Sequence, residues 1–374
     1  MMLRSLFDRT SVEARELKPW GDWSSQSVSH AGVNVTPDSA LHLLAVYGCV
    51  RLISDTIATL PIDVFRRTAG DKVETNAPRW LDQPNESTDV VEFLTMVLSS
   101  LLLDGNAYIT YTLDASFVTQ SLQAIHPQRV QIQPGPDYFI DGVRVNGRLI
   151  HVKGVTRPGA LAGLSPVEAA KEGIGLGLAA QEFGARFFGD GANMSGVIEM
   201  PKGLSPDAAK ILSQRWGADH HGLKNAHKPG VLTEGAQWKP ISVTNEQAQF
   251  LETRKFTAAE IAAQMFLVDP TLLGIPVDGK SLTYANLEQR GIHLVQFTLL
   301  PWIVRLERMF NRLLPRVQFA KFNVGGLQRA DMKTRYEAYA IGTAGAPFLL
   351  QDEAREKEDL PLGVEFPSSP QEPV

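Results

Sequence analysis

Cysteine is almost absent, with Cys49 the only one in the chain. A lone thiol excludes an intramolecular disulfide and any zinc site built on several cysteines, and it fits a reducing compartment. Cys49 falls on an apolar helix face and reads as a buried, inert thiol. Long apolar runs are missing too. Leu43 to Val50 and Leu94 to Leu103 fall well short of the ~20 residues that cross a bilayer, so no membrane partner is expected. Positive charge is not in excess: 36 Lys and Arg against 41 Asp and Glu leave a net -5. That argues against gripping nucleic acid over a broad basic face, while leaving room for a local patch. The first residues, MMLRSLFDRTSVEARELKPW, carry charge throughout and no apolar core, so no signal peptide is read there. The protein is expected to be soluble and cytosolic when made.

What the chain does have is length and punctuation. Its 374 residues allow two or three cores at ~100–200 residues each. Residues 1–39 read as an extended arm, with Trp20 and Trp23 as anchors on a neighbour. From Asp38 the pattern changes. Val46, Val50, Ile53, Ile57 and Leu60 recur at helical spacing until Pro61 stops the helix. Arg51 and Asp55, four apart, sit off that stripe and can pair. Ile62, Val64 and Phe65 begin a strand that ends in Arg66 and Arg67. Ser87 to Asp89 offer caps for a helix through Leu103, and Asp104-Gly105-Asn106 then breaks into a strand over Ala107 to Tyr111. Further short segments (Leu122 to Ile125, Val130 to Ile132, Tyr138 to Val145, Leu149 to Val152) alternate with Pro and Gly. They predict a small antiparallel sheet and an α+β fold class.

The second half is more helical. Ser165-Pro166 is a helix start. The long helix that follows holds Gly173, Gly175, Gly177 and Gly184, each costing ~1 kcal/mol against Ala. Close approach of neighbouring helices is the ordinary reason for such losses. Residues 195–243 read as a mixed insertion: a strand Gly196 to Met200, a helix from Ser205-Pro206 to Trp216, and strands Gly230 to Leu232 and Trp238 to Ile241. A second long helix begins near Asn245, with Phe250, Phe256 or Thr257, Ile261 and Met265 as its apolar side. A third runs from Tyr284 towards Leu314, interrupted by Pro301, with Trp302, Leu306, Met309 or Phe310, and Leu313 on one face. Arg305, Arg308, Arg312 and Arg316 lie on another, either solvated or meeting an acidic partner. Helices over Ala330 to Ile341 and Gln351 to Asp359 precede a Pro-rich, disordered end.

Three motifs carry possible chemistry. Gly274 to Ser281, GIPVDGKS, matches the phosphate-cradling pattern and points to a nucleotide-binding enzyme such as an ATPase. Such a loop needs a buried strand ending at its first Gly. Here only Thr271, Leu272 and Leu273 intervene after Asp269-Pro270, and Pro276 removes a loop N–H. Gly175 to Ala180 spells G-x-G-x-x-A, but in mid-helix rather than after a strand. Asp219, His220, His221 and His227 share one polar turn and raise a metal-dependent hydrolase, without the i, i+4 helical geometry of zinc sites. The balance of these readings is no catalysis, no cofactor and no metal.

Eight segments in order resemble one known family. They are LLAVYGCVRLISDTIATLPIDVFRR, LLLDGNAYI, HPQRVQI, GLSPVEAA, FGARFFGDGANMSGVIEMP, the stretch from LSPDAAK to QWKPIS, EQAQFLETRKFTAAEIA, and the stretch from SLTYANL to NRLLP. Together, over about residues 40 to 360, the chain resembles the portal proteins of tailed bacteriophages, of the long, non-contractile-tail type. The resemblance implies a ring, ordinarily a homododecamer, at one capsid vertex of the virion. Double-stranded DNA would pass through it, without sequence reading, during packaging and ejection. It further implies a wing (40–164 and 271–325), stem helices (165–192 and 245–270), a clip (193–244), a crown (326–360) and a flexible tail (361–374). Residues 274–283 would be the tunnel loop, with Asp278, Lys280 and Ser281 facing DNA. The implied partners are the terminase large subunit, a head–tail adaptor, and the major capsid and scaffolding proteins.

Overall fold

The two most apolar helices meet at the centre of the molecule. Leu44–Ala58 buries Val46, Cys49, Ile53 and Ile57, and Val90–Asp104 buries Phe93, Leu94, Leu98 and Leu101. Both sets follow the helical period, so each helix turns one stripe towards the other. Asp89 caps the second helix by accepting a hydrogen bond from the Glu92 N–H at 2.8 Å. Gly105, at φ +69°, ends it in the left-handed conformation. Burial pushes the Cys49 thiol up to about 12, which makes it unreactive. Arg51 and Asp55 pair at 3.3 Å on the exposed side.

The computed structural model describes residues 28–68, 72–135, 137–145, 147–189, 196–201, 203, 205–220, 235–240, 254–276, 284–325, 327, 332–344, 347–356, 358, 360–361 and 363. Strands β1 (Ile62–Arg67) and β2 (Lys72–Thr75) form a sheet with β11 (Gln318–Phe322), with β1 in the middle. Its inner face, Val64, Ala320 and Phe322, rests on the helix Leu300–Asn311. There Phe310 lies 6.3 Å from Phe322 and 6.2 Å from Trp80 between ring centroids. Both Met309 and Phe310 are buried, so that helix commits more than one side chain per turn to the core.

The single antiparallel sheet expected between residues 107 and 152 is in fact two. Strands β3 (Asn106–Leu113), β4 (Thr119–Ile125) and β8 (Leu149–Lys153) make one, in the order β4-β3-β8. Strands β5 (Val130–Gln133), β6 (Asp137–Ile140) and β7 (Val143–Arg144) make the other. Pro127 opens a 3-10 turn after β4, and a proline without an N–H cannot extend the ladder, so the chain leaves the first plane there.

Ser165 caps a short helix, Pro166–Ala169, which breaks at Ala170 before the long helix Lys171–Gly189. Two of the glycines of that helix, Gly175 and Gly177, make room for other parts of the same chain. A Cβ on Gly175 would lie 2.2 Å from Ser29 Oγ, and one on Gly177 3.0 Å from Leu43 and 3.4 Å from Thr257. Residues 28–39, expected as part of an arm, therefore belong to the fold. Ser29 and Val35 are buried, and Thr36 caps the helix Pro37–Ala40. In the insertion, β9 (Gly196–Glu199) pairs with β10 (Gln237–Pro240), and a helix spans Pro206–His220. The segment 230–232, expected as a strand, lies outside the described residues. Two helices, Met332–Thr343 and Gln351–Glu356, close the chain. No helix among the described residues is long and apolar enough to cross a membrane.

Candidate functional site

A bonded turn lies at the base of the loop that contains the phosphate-like motif. A helical stretch over 254–260 widens into a π turn, Ile261–Met265. Thr257 and Ile261 point inwards, while Phe256, the alternative inward residue, is exposed. The chain leaves the turn through Val268, whose N–H donates to Ala262 O at 2.9 Å. Asp269 then caps a 3-10 turn, Pro270–Leu273. Its Oδ1 accepts from the Thr271 N–H at 3.0 Å and from the Thr271 hydroxyl at 2.7 Å. Arg290, on the helix Tyr284–His293 beyond the loop, reaches back. Its Nε lies 3.5 Å from Asp269 Oδ2, and its Nη1 donates to Thr271 Oγ1. The Arg290 side chain is 11% exposed, so this pair is shielded from water and holds both ends of the loop together.

Gly274 ends the 3-10 turn at φ +73°, a backbone that a side chain there would strain. The element before Gly274 is thus one tight turn and not the buried strand a nucleotide-cradling loop requires. Asp278, Lys280 and Ser281 lie in 277–283, outside the described residues. The turn holding His221 and His227 also lies outside them, as does the side chain of His220. Among the described residues, no cluster of His, Cys, Asp and Glu is arranged to hold a metal.

The four arginines do not form one helical face. Arg308 and Arg312 are exposed near the end of Leu300–Asn311, but Arg316 lies past it in the turn to β11. Arg305 is half-covered. Its guanidinium sits 5.0 Å from the Trp302 ring centre, and its Nη1 donates to Pro301 O at 2.8 Å. Burial, and then the neighbouring Arg308, hold its pKa below the usual arginine value.

A second polar knot, not anticipated from sequence, joins the two sheets to the start of the long helix. Asn106 Nδ2 donates to the carbonyls of Asp104 and Gly163, both at 2.9 Å, which leaves Oδ1 as the acceptor. That oxygen takes the Gly163 N–H at 2.6 Å and His151 Nε2 at 2.9 Å. His151 therefore carries its proton on Nε2, and Nδ1 accepts from the Tyr138 hydroxyl at 3.1 Å. Burial, and then Lys153, push the His151 pKa down to about 3, so the ring stays neutral. Nearby, burial pushes Asp104 up to about 6.

A family model described as phage portal protein matches residues 44–359. The chain belongs to that family. A probable portal protein of Streptomyces phage phiC31 is 33% identical, over 93% of this chain and 82% of its own length. A portal protein of the HK97 family from Corynebacterium diphtheriae shares the fold at a TM-score of 0.60 and 19% identity, covering 78% of this chain and 96% of that one. A chain in the neck of a native gene transfer agent particle, computed with C12 symmetry, matches at a TM-score of 0.58 and 23% identity, covering 87% and 95%.

A portal protein is a structural component of the virion, part of the head–tail connector at the portal vertex, and not an enzyme. The alternative of an ATPase at Gly274 to Ser281 falls away accordingly, and the 3-10 turn before Gly274 stands where a nucleotide loop needs a strand. What sequence reading missed in this portal chain is the clamp of Asp269, Thr271 and Arg290. The Asp269-Pro270 pair was a visible cap signal, but nothing in the sequence tied it to Arg290.

Proposed function

We propose that this portal chain assembles into a ring around a central channel that passes double-stranded DNA during packaging and ejection. The observation that carries the reading is the family match over residues 44–359, supported by the likeness to a neck chain in a particle computed with C12 symmetry. By that likeness the ring has twelve copies. Residues 40–164 and 271–325 are the wing, 165–192 and 245–270 the stem, 193–244 the clip and 326–360 the crown. The clip meets the terminase large subunit and later a head–tail adaptor, and the outer wing meets capsid and scaffolding proteins.

In this reading the segment 274–283 narrows the channel, and its fixed base supports that role. A ring repeats Lys280 around the axis as a belt of positive charge. Isolated lysines on a net-acidic chain keep such a belt, with Asp278 and Ser281 in the same loop, from holding DNA still, since each phosphate–lysine contact adds salt-dependent affinity. Arg308 and Arg312 offer the acidic surface of a protein partner a second basic patch. Packaging by Lys280→Ala particles tests the belt. Reduced packaging whose deficit changes with salt is expected, and yields equal to wild type at every salt concentration would remove Lys280 from the channel wall.

A further inference from the structure

One helix in the chain is apolar over more than the side it buries. From Tyr284 to Asn311 the chain is helical throughout, with a π turn, Leu294–Leu299, in the middle. One side, Val295, Leu299, Ile303 and Leu306, is packed into the protein's own core. Away from that stripe the helix presents Phe297, Leu300 and Val304, which are 56%, 42% and 37% exposed, and Ile292, 45% exposed, lies at the open start of the buried stripe. Leu267 joins this patch. It is 60% exposed at φ +56°, a strained backbone for a leucine, and its carbonyl accepts from the Thr298 hydroxyl, beside Phe297, at 2.5 Å. From Gly291 through Val304 there is no Asp, Glu, Lys or Arg.

An amphipathic helix needs one partner; a helix apolar beyond the side it buries needs two. The first is the chain's own core. The chemistry of the patch selects the second. A DNA contact needs cations, and none stands in this stretch. Partners that come and go meet surfaces about as polar as the rest of a protein, whereas permanent contacts between identical subunits are apolar and depleted of charge. We infer that Leu267, Ile292, Phe297, Leu300 and Val304 form a subunit contact, covered by a second copy of this chain. The contact rests on the ring reading above. Since a ring of more than two copies uses two different patches per interface, the covering surface of the next copy lies elsewhere on the chain.

The test compares Phe297→Asp and Leu300→Asp with Val143→Asp, a control at an exposed hairpin position outside the patch. An aspartate buried in an apolar contact weakens each interface about a hundredfold or more. The expected result is that both patch variants fold with the thermal midpoint of the wild-type subunit but remain as single subunits. Val143→Asp should form assemblies like wild type. A second measurement does not need the aspartate variants to fold. Phe297→Cys is labelled with a maleimide in assemblies and in dissociated subunits, against the silent background of buried Cys49. Labelling about tenfold or more slower in the assembly is expected for a buried interface position. Wild-type yields of assemblies from both aspartate variants, or equal labelling rates, would overturn the inference. So would normal rings that fail only at entry into particles, because the patch would then serve another protein. Failure of wild type itself to form rings would count against the ring reading instead.

Discussion

Gly105 shows how much a single residue can carry. Its φ of +69° closes the helix Val90–Asp104, and a Cβ there would lie 2.0 Å from the carbonyl oxygen of Leu164. That atom belongs to the backbone and cannot swing aside. Gly105→Ala combines left-handed strain with a backbone clash and should destabilise by about 2 kcal/mol or more, read from urea unfolding. The turn itself was legible in Asp104-Gly105-Asn106. The crossing of residues 163–164 over it was not, because it depends on a contact between segments far apart in sequence.

The same neighbourhood sets a pH response with two opposing parts. His151, neutral down to about 3, gives stability that is full above its ordinary range near 6.5 and is lost as pH falls towards 3. Asp104, raised to about 6, acts in reverse: the folded state binds its proton more tightly, so stability falls as pH rises from about 4 through 6. Between pH 4 and 6 the two nearly cancel. Asp104 also ends a helix, where a negative charge meets the unfavourable end of the dipole. Asp104→Asn should therefore stabilise at pH 7, by about 1–3 kcal/mol. It should also leave a stability that drops on acidification through the pH range 6 to 4, measured by denaturant titration at stepped pH. An unchanged pH profile would remove Asp104 from this balance.

At the scale of elements, the sequence was clearest where periodicity was long. The helices over 44–58 and 90–104, the Ser165 cap and the Arg51–Asp55 pair were all readable. Pro301 misled. It was expected to interrupt the third long helix, yet it sits in the first turn of Leu300–Asn311 directly after a π turn. The wider turn absorbs the missing donor: the Leu300 N–H bonds to Val295 O, one residue further back than in an α-helix. Propensity marks proline as a break, and here the π turn before it lets the helix run on.

The clamp at the loop base is also a product of elements and not of local sequence. Arg290→Met leaves the Asp269 carboxylate without its guanidinium in a shielded place and should cost about 1–3 kcal/mol. A double-mutant cycle with Asp269→Asn measures the pair itself. Additive effects of the two substitutions would mean that the ends of the loop are not held by this bond.

At the scale of the whole molecule, recognition came from the order of many weak segments. The family match agrees with that recognition over residues 44–359. The residues expected to touch DNA were legible only as a loop with a lysine, because a channel wall is made by repetition around an axis that one chain does not contain. The exposed apolar patch on the helical stretch Tyr284–Asn311 was hidden for a related reason. An apolar stripe reads as core in any sequence, and only the folded chain shows which apolar residues stay uncovered.

The central claim is that this chain closes into a ring with a hole through it. Electron microscopy of the purified, full-length protein tests it directly. The account predicts rings with an open centre and twelve-fold rotational symmetry. Monomers, or compact oligomers with no central channel, at concentrations well above those needed for assembly would contradict it.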